Sequence, residues 1–97
     1  MRKITYLAVM EPTKDGYSVY YPDLPGCVSF GVMIDEAQKQ AAEALELHVY
    51  GMEKDHEDLP APSVDLKPND IEGCVVSPIS VFPDIVKKEM DNRIFST

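Results

Sequence analysis

Tyr17-Ser18-Val19-Tyr20-Tyr21-Pro22-Asp23-Leu24-Pro25-Gly26-Cys27-Val28-Ser29-Phe30-Gly31 is the stretch that decides the fold. It reads as strand, tight turn, strand. Tyr17 to Tyr21 is rich in aromatic and β-branched residues, which suit a pleated surface. Pro22 ends that run because proline has no N–H for a ladder. In the Pro25-Gly26 pair, proline pre-sets φ and glycine accepts the positive φ of a type II turn. Cys27 to Phe30 returns as the next strand. Gly31 breaks the pattern just before a helical one begins.

Working outward, Lys3 to Glu11 is a strand before this one. Ile4, Tyr6, Ala8 and Met10 share one face, and Thr5, Leu7 and Val9 the other. Pro12 should stop it, and Thr13-Lys14-Asp15-Gly16 closes a hairpin. Three consecutive antiparallel strands make a meander.

After Gly31, Ile34 to about Lys54 reads as a helix. Ile34, Ala37, Ala41, Ala44, Leu45, His48 and Met52 recur at threes and fours as a core-facing stripe. Glu36, Lys39, Glu43, Glu46, Tyr50 and Glu53 form the opposite, solvated stripe. Val32-Met33 offers no side-chain N-cap. Either the first turn frays or Asp35 caps a later start.

Glu57 to Gly73, with Pro60, Pro62 and Pro68, is a polar connection over the surface. Cys74 to Phe82 is a fourth strand, placed at an edge or given a bulge by Pro78. Pro83 to Met90 has the pattern of one or two helical turns, and Asn92 to Thr97 of a frayed end. The order β-β-β-α-β defines an α+β domain over residues 1–82 with a short tail, 83–97. One helix covers one face of such a sheet. The other face still carries large apolar residues, so the tail, a second copy or a partner must cover it. A homo-oligomer, with a dimer favoured, follows from that surplus.

The chain is 97 residues with a formal net charge of −8. Between Asp35 and Glu72 there are eleven acidic and three basic residues, and the remainder has six of each. All the excess therefore sits on the helix and the loop after it. Such a surface repels phosphates and attracts a basic protein, or else simply solubilises the fold. No apolar run is long enough to span a membrane and no signal-peptide core is present, which makes the cytoplasm the expected compartment.

Little argues for catalysis. Cys27 and Cys74 lack zinc-site spacing and read as reduced, buried thiols. Asp23 sits in a Pro-Asp-Leu-Pro-Gly turn, where a carboxylate typically accepts from local backbone N–H groups. His48 lies on the apolar helix stripe and His56 in the loop, neither beside a second ligand or nucleophile. No cofactor, metal or catalytic residue is expected. The tyrosines lack the basic neighbours of a base-stacking platform, so they read as packing or interface groups.

The quoted stretch, followed by Asp35-Glu36-Ala37, Ala41-Ala42-Glu43-Ala44-Leu45-Glu46-Leu47-His48, Gly51-Met52 and Leu59-Pro60-Ala61-Pro62-Ser63, resembles the HicB antitoxin family. The resemblance covers about residues 3 to 63. It implies a reduced ribonuclease-H-like fold in which the strand after the helix lies beside the first and parallel to it. It implies an antitoxin that neutralises a HicA-like messenger-RNA-cleaving toxin by occlusion. Pro22, Asp23, Leu24, Pro25, Gly26 and Cys27 would then be mainly structural. The charge map would place the toxin on Glu36, Glu43, Glu46 and Glu53, with Tyr20 on the sheet as the other contact. Family members usually continue into a DNA-binding domain. The 15 residues after Phe82 are too few for one, so operator binding is not expected of this chain. The competing readings are a residual ribonuclease-H-like nuclease and a structural homo-oligomer with no toxin partner.

Overall fold

The computed structural model describes residues 1–95; Ser96 and Thr97, the end of the expected loose tail, lie outside them. The elements are β1 (Ile4–Thr13), β2 (Gly16–Tyr20), β3 (Val28–Gly31), α1 (Ile34–Lys54), β4 (Val75–Val81) and α2 (Pro83–Phe95), with a single 3-10 turn at Pro68–Asp70. The sheet order is β3-β2-β1-β4.

The meander forms as expected, with Val9 opposite Tyr20 and Val19 opposite Ser29. Gly26 has φ +90°, the value the Pro25-Gly26 turn requires. Pro12 does not end β1. It pairs with Tyr17, beyond Met10, the last β1 residue with a β4 partner, so no ladder bond waits for its missing N–H. Pro78 is accommodated because β4 is an edge strand, and its register with β1 is unbroken from Ile4–Val81 to Met10–Val75.

The direction of β4 corrects the expectation of a parallel strand: β4 runs antiparallel to β1. The cause is the long connection after α1. A short loop from the helix end would enter β4 parallel to β1. Here the segment after Lys54 is first pinned near the β2–β3 turn, where Tyr6 Oη donates to Pro60 O at 2.8 Å. It then crosses the sheet to start β4 at the opposite end. On the way Leu66 and Ile71 line a depression with Tyr20 and Pro22, on the sheet face that α1 leaves bare. Part of the surplus apolar face is thus covered from within, and Val9 on that face is fully buried.

The core lies between the sheet and α1. Tyr6, Ala8, Met10, Val19 and Tyr21 face Ala37, Ala41, Leu45 and Val49, with Leu24, Cys27, Val81 and Val86 closing the ends. Small alanines let the helix lie close to the strands. Gly31 allows the same approach, since a Cβ there would sit 2.3 Å from Ala37 N. The buried Tyr21 hydroxyl donates to Ala41 O at 2.7 Å, so its burial leaves no orphan donor. Val49 belongs to the buried stripe, whereas Ile34, at its start, is exposed. Met33 stands at the N-cap without a side-chain bond, and among the described residues the Asp35 carboxylate accepts only from its neighbour Glu36 N. Asp35 therefore caps no later start.

The segment after β4 exceeds the expected one or two turns. α2 continues to Phe95 because it has a packing partner. Val86 enters the core, and Tyr50 Oη donates to Asp91 Oδ1 at 2.8 Å. Arg2, just before β1, ties α1 to α2, contacting Glu53 at 2.9 Å and Asp84 at 2.8 Å.

Candidate partner-binding surface

The Pro22–Cys27 turn is held from outside itself. Both Asp23 carboxylate oxygens accept from Ser63, Oδ2 from its N–H and Oδ1 from its hydroxyl, each at 2.7 Å. Asp23 therefore staples the turn to the long loop 40 residues on, not to the neighbouring backbone that the sequence suggested. Cys27 Sγ donates to Ala44 O, and burial pushes its thiol up to about 11, which leaves it unreactive at neutral pH. Cys74 is only partly buried, and the two thiols stand at opposite edges of the sheet, both free.

With the turn fixed, an open groove of about 630 Å³ remains between it and the C-terminal half of α1. Pro25, Val28, Ala44, Leu47 and Met52 give it apolar walls, His48 and Gly51 lie along the helix side, and Asp23, Asp55 and Glu57 supply acidic groups. Among the described residues, no Lys or Arg lines it. Leu47 is 62% exposed, a large apolar side chain standing in solvent beside the groove.

The acidic stripe divides along the helix. Glu36 and Glu43 are exposed. Glu46 is half-buried, and burial, with Glu89 and Glu43 nearby, raises its pKa above the usual carboxylate value. Glu53 is held the other way: the Arg2 hydrogen bonds lower its pKa. Tyr20, the remaining sequence candidate, is half-buried on the other sheet face and shares a depression with Leu66 and Ile71. The structure therefore does not assemble all five candidates. It places Glu43 one helical turn from Leu47 and the groove, and it separates Glu53 and Tyr20 from them. The groove was not read from the sequence; the exposed Leu47 inside a polar stripe was the available signal.

Among the described residues, no cluster of three or more His, Cys, Asp or Glu side chains could hold a metal ion. Among the same residues, no helix is long and apolar enough to cross a membrane.

The fold is a small antiparallel sheet carrying one long helix beside an acid-rimmed groove, and comparison with known proteins is specific about its family. Residues 6–94 match the HicB-like antitoxins of bacterial toxin–antitoxin systems, and the chain belongs to that family. It is similar to the N-terminal domain of the Burkholderia pseudomallei antitoxin HicB: 30% identity and TM-score 0.66, covering 81% of this chain and 99% of that one. It is also similar to a chain of the HicA3 and HicB3 toxin–antitoxin complex: 26% identity and TM-score 0.64, covering 78% and 95% respectively. An uncharacterised 14.9 kDa protein of Haemophilus phage HP1 is 41% identical over 73 residues, a match covering 75% of this chain. The match spans half of the phage protein's length.

Proposed function

We propose that this chain neutralises a small, basic, HicA-like messenger-RNA-cleaving toxin in the cytoplasm by occupying the surface the toxin uses on RNA. The observation that carries this reading is the groove beside α1. Its apolar walls can bury an anchor side chain, and its charged rim is acidic with no Lys or Arg. That rim continues onto Glu43, within the acid-rich half of the chain. Toxin surfaces that bind phosphates are cationic, so the same charge that repels RNA draws the toxin in. Inhibition by coverage requires no chemistry from the inhibitor, and the chain acts as a binding protein without enzymatic activity. It does not itself bind operator DNA, since the groove and outer helix face would repel the phosphate backbone.

The test is cleavage of a defined messenger RNA by the toxin encoded beside this chain. Adding the chain should abolish cleavage at one equivalent per toxin. Undiminished cleavage with the chain in excess would reject the proposal.

A further inference from the structure

We infer that Gly51 is a binding residue: it holds the floor of the groove open for a long cationic side chain of the toxin, an arginine. This rests on the groove being the toxin-binding surface. Glycine inside a helix is destabilising, because it loses more backbone freedom on folding than any other residue and packs no side chain. Four of the five glycines answer a demand of the fold: Gly16, Gly26 and Gly73 have positive φ, and Gly31 lies against Ala37. Gly51 answers none. Its φ is not positive, and a Cβ built on it meets no atom of another element within 4 Å. Nor does the helix end require it. The residue just past the C-cap takes the left-handed conformation that usually selects glycine, and that residue is His56, with φ +59°. Glu57 N–H donates to Met52 O at 2.8 Å and His56 N–H to Glu53 O at 3.1 Å, which closes the end. The glycine therefore sits inside the helix, at a place where the fold alone favours alanine.

What Gly51 faces is the groove. Ala44, Leu47, His48, Gly51, Met52 and Asp55 line it and recur at threes and fours, so they form one face of α1. Leu47, His48 and Asp55, three or four residues away, flank the gap that Gly51 leaves. The gap is apolar toward Leu47 and acidic toward Asp55, with Glu57 just beyond. Both carboxylates are exposed, and no ion pair among the described residues engages them. That order selects the occupant. A long cationic side chain lays its methylene stem along Leu47 and brings its charge to Asp55 and Glu57. A purely apolar anchor would bury the carboxylates without a partner. Arginine suits the place better than lysine: its planar guanidinium is weakly hydrated, lies flat on the bare helix surface and forks to a carboxylate.

Substitution at Gly51 gives two readings of opposite sign. Gly51→Ala should raise the melting temperature of the free chain by a few degrees, since alanine is the better helix former and nothing crowds its Cβ. The same change should speed toxin dissociation severalfold, and Gly51→Leu by roughly tenfold or more, because the gap is then filled. Asp55→Asn with Glu57→Gln tests the charged head. Losing a distant charge slows association, whereas losing the partner of a seated charge speeds dissociation. The double amide should therefore speed dissociation by roughly tenfold. On the toxin, one arginine replaced by lysine should weaken binding to the unaltered chain and cause no further loss with Gly51→Leu, because the two changes remove the same contact. Surface plasmon resonance with the toxin encoded beside this chain reads the rates, and calorimetry the melting temperature. Unchanged dissociation from Gly51→Leu would overturn the inference while leaving neutralisation standing. A double amide that dissociates no faster, or a toxin without such an arginine, would overturn the assigned occupant. Failure of the unaltered chain to bind the toxin at all would reject the proposed function and this inference together.

Discussion

Glu36 and Glu43, in the first half of α1, stand exposed with no ion pair among the described residues, whereas Glu46 is half-buried and Glu53 is bound by Arg2. One repeating pattern on one helix thus meets two environments. Where α1 has only solvent beside it, the carboxylates stay exposed, as the proposed docking requires. Where Arg2 and α2 reach the helix, the carboxylates become part of the fold. A charge stripe in sequence therefore marks a docking face only as far as tertiary neighbours leave it open.

The largest expected effect breaks the proposed docking face at its apolar anchor in the groove, one helical turn beyond the open Glu43. Leu47→Asp places a charge where the account requires burial. It should raise the toxin dissociation rate by roughly tenfold or more, read by surface plasmon resonance, because truncating or charging a central anchor typically costs over about 1.4 kcal/mol. Next, Glu36→Lys with Glu43→Lys should slow association severalfold at low salt and flatten its salt dependence, as stopped-flow mixing would show. Stability should shift by less than about 0.5 kcal/mol, as is usual for exposed sites.

The engaged half is tested by acid. Arg2 hydrogen bonds hold Glu53 and Asp84 below the usual carboxylate range. Lowered folded values contribute stability that is present above the unfolded pKa and lost as pH falls through the folded one. Arg2→Gln should lower the melting temperature at neutral pH, and its difference from the unaltered chain should disappear in strong acid. Glu46 has the opposite sign. Burial raises its folded value, so its ionised form opposes folding at neutral pH, and protonation relieves this as pH falls. Glu46→Gln should give the smallest effect, a slight rise in melting temperature at pH 7 that vanishes in acid. Calorimetry across that range checks both signs.

The meander was legible because its signals are local. Pro25-Gly26 demands a turn, and Tyr17–Tyr21 suits a strand whatever lies elsewhere. The helix stripe was legible at Ala37, Ala41 and Leu45. Val49 was not, although it continues the row of Ala37, Ala41 and Leu45 at a spacing of four, because the stripe was carried through His48 on that turn instead. The direction of β4 was hidden for another reason. It is set by contacts such as Asp23 with Ser63 and Tyr6 with Pro60, across a loop with no periodicity to read. α2 was underestimated because its own apolar pattern is thin and its anchors, Val86 and Asp91, work through α1 and the core. Of the candidate site, the charge was visible, but the groove required knowing that the turn stands opposite Leu47.

The most direct test of the binding surface is a titration of isotope-labelled chain with the adjacent-frame toxin, followed by amide chemical shifts. The account predicts the largest changes at Gly26, Leu47 and Gly51, around the groove, with residues of α2 little affected. Changes centred on Tyr20, Leu66 and Ile71, with the groove silent, would contradict it.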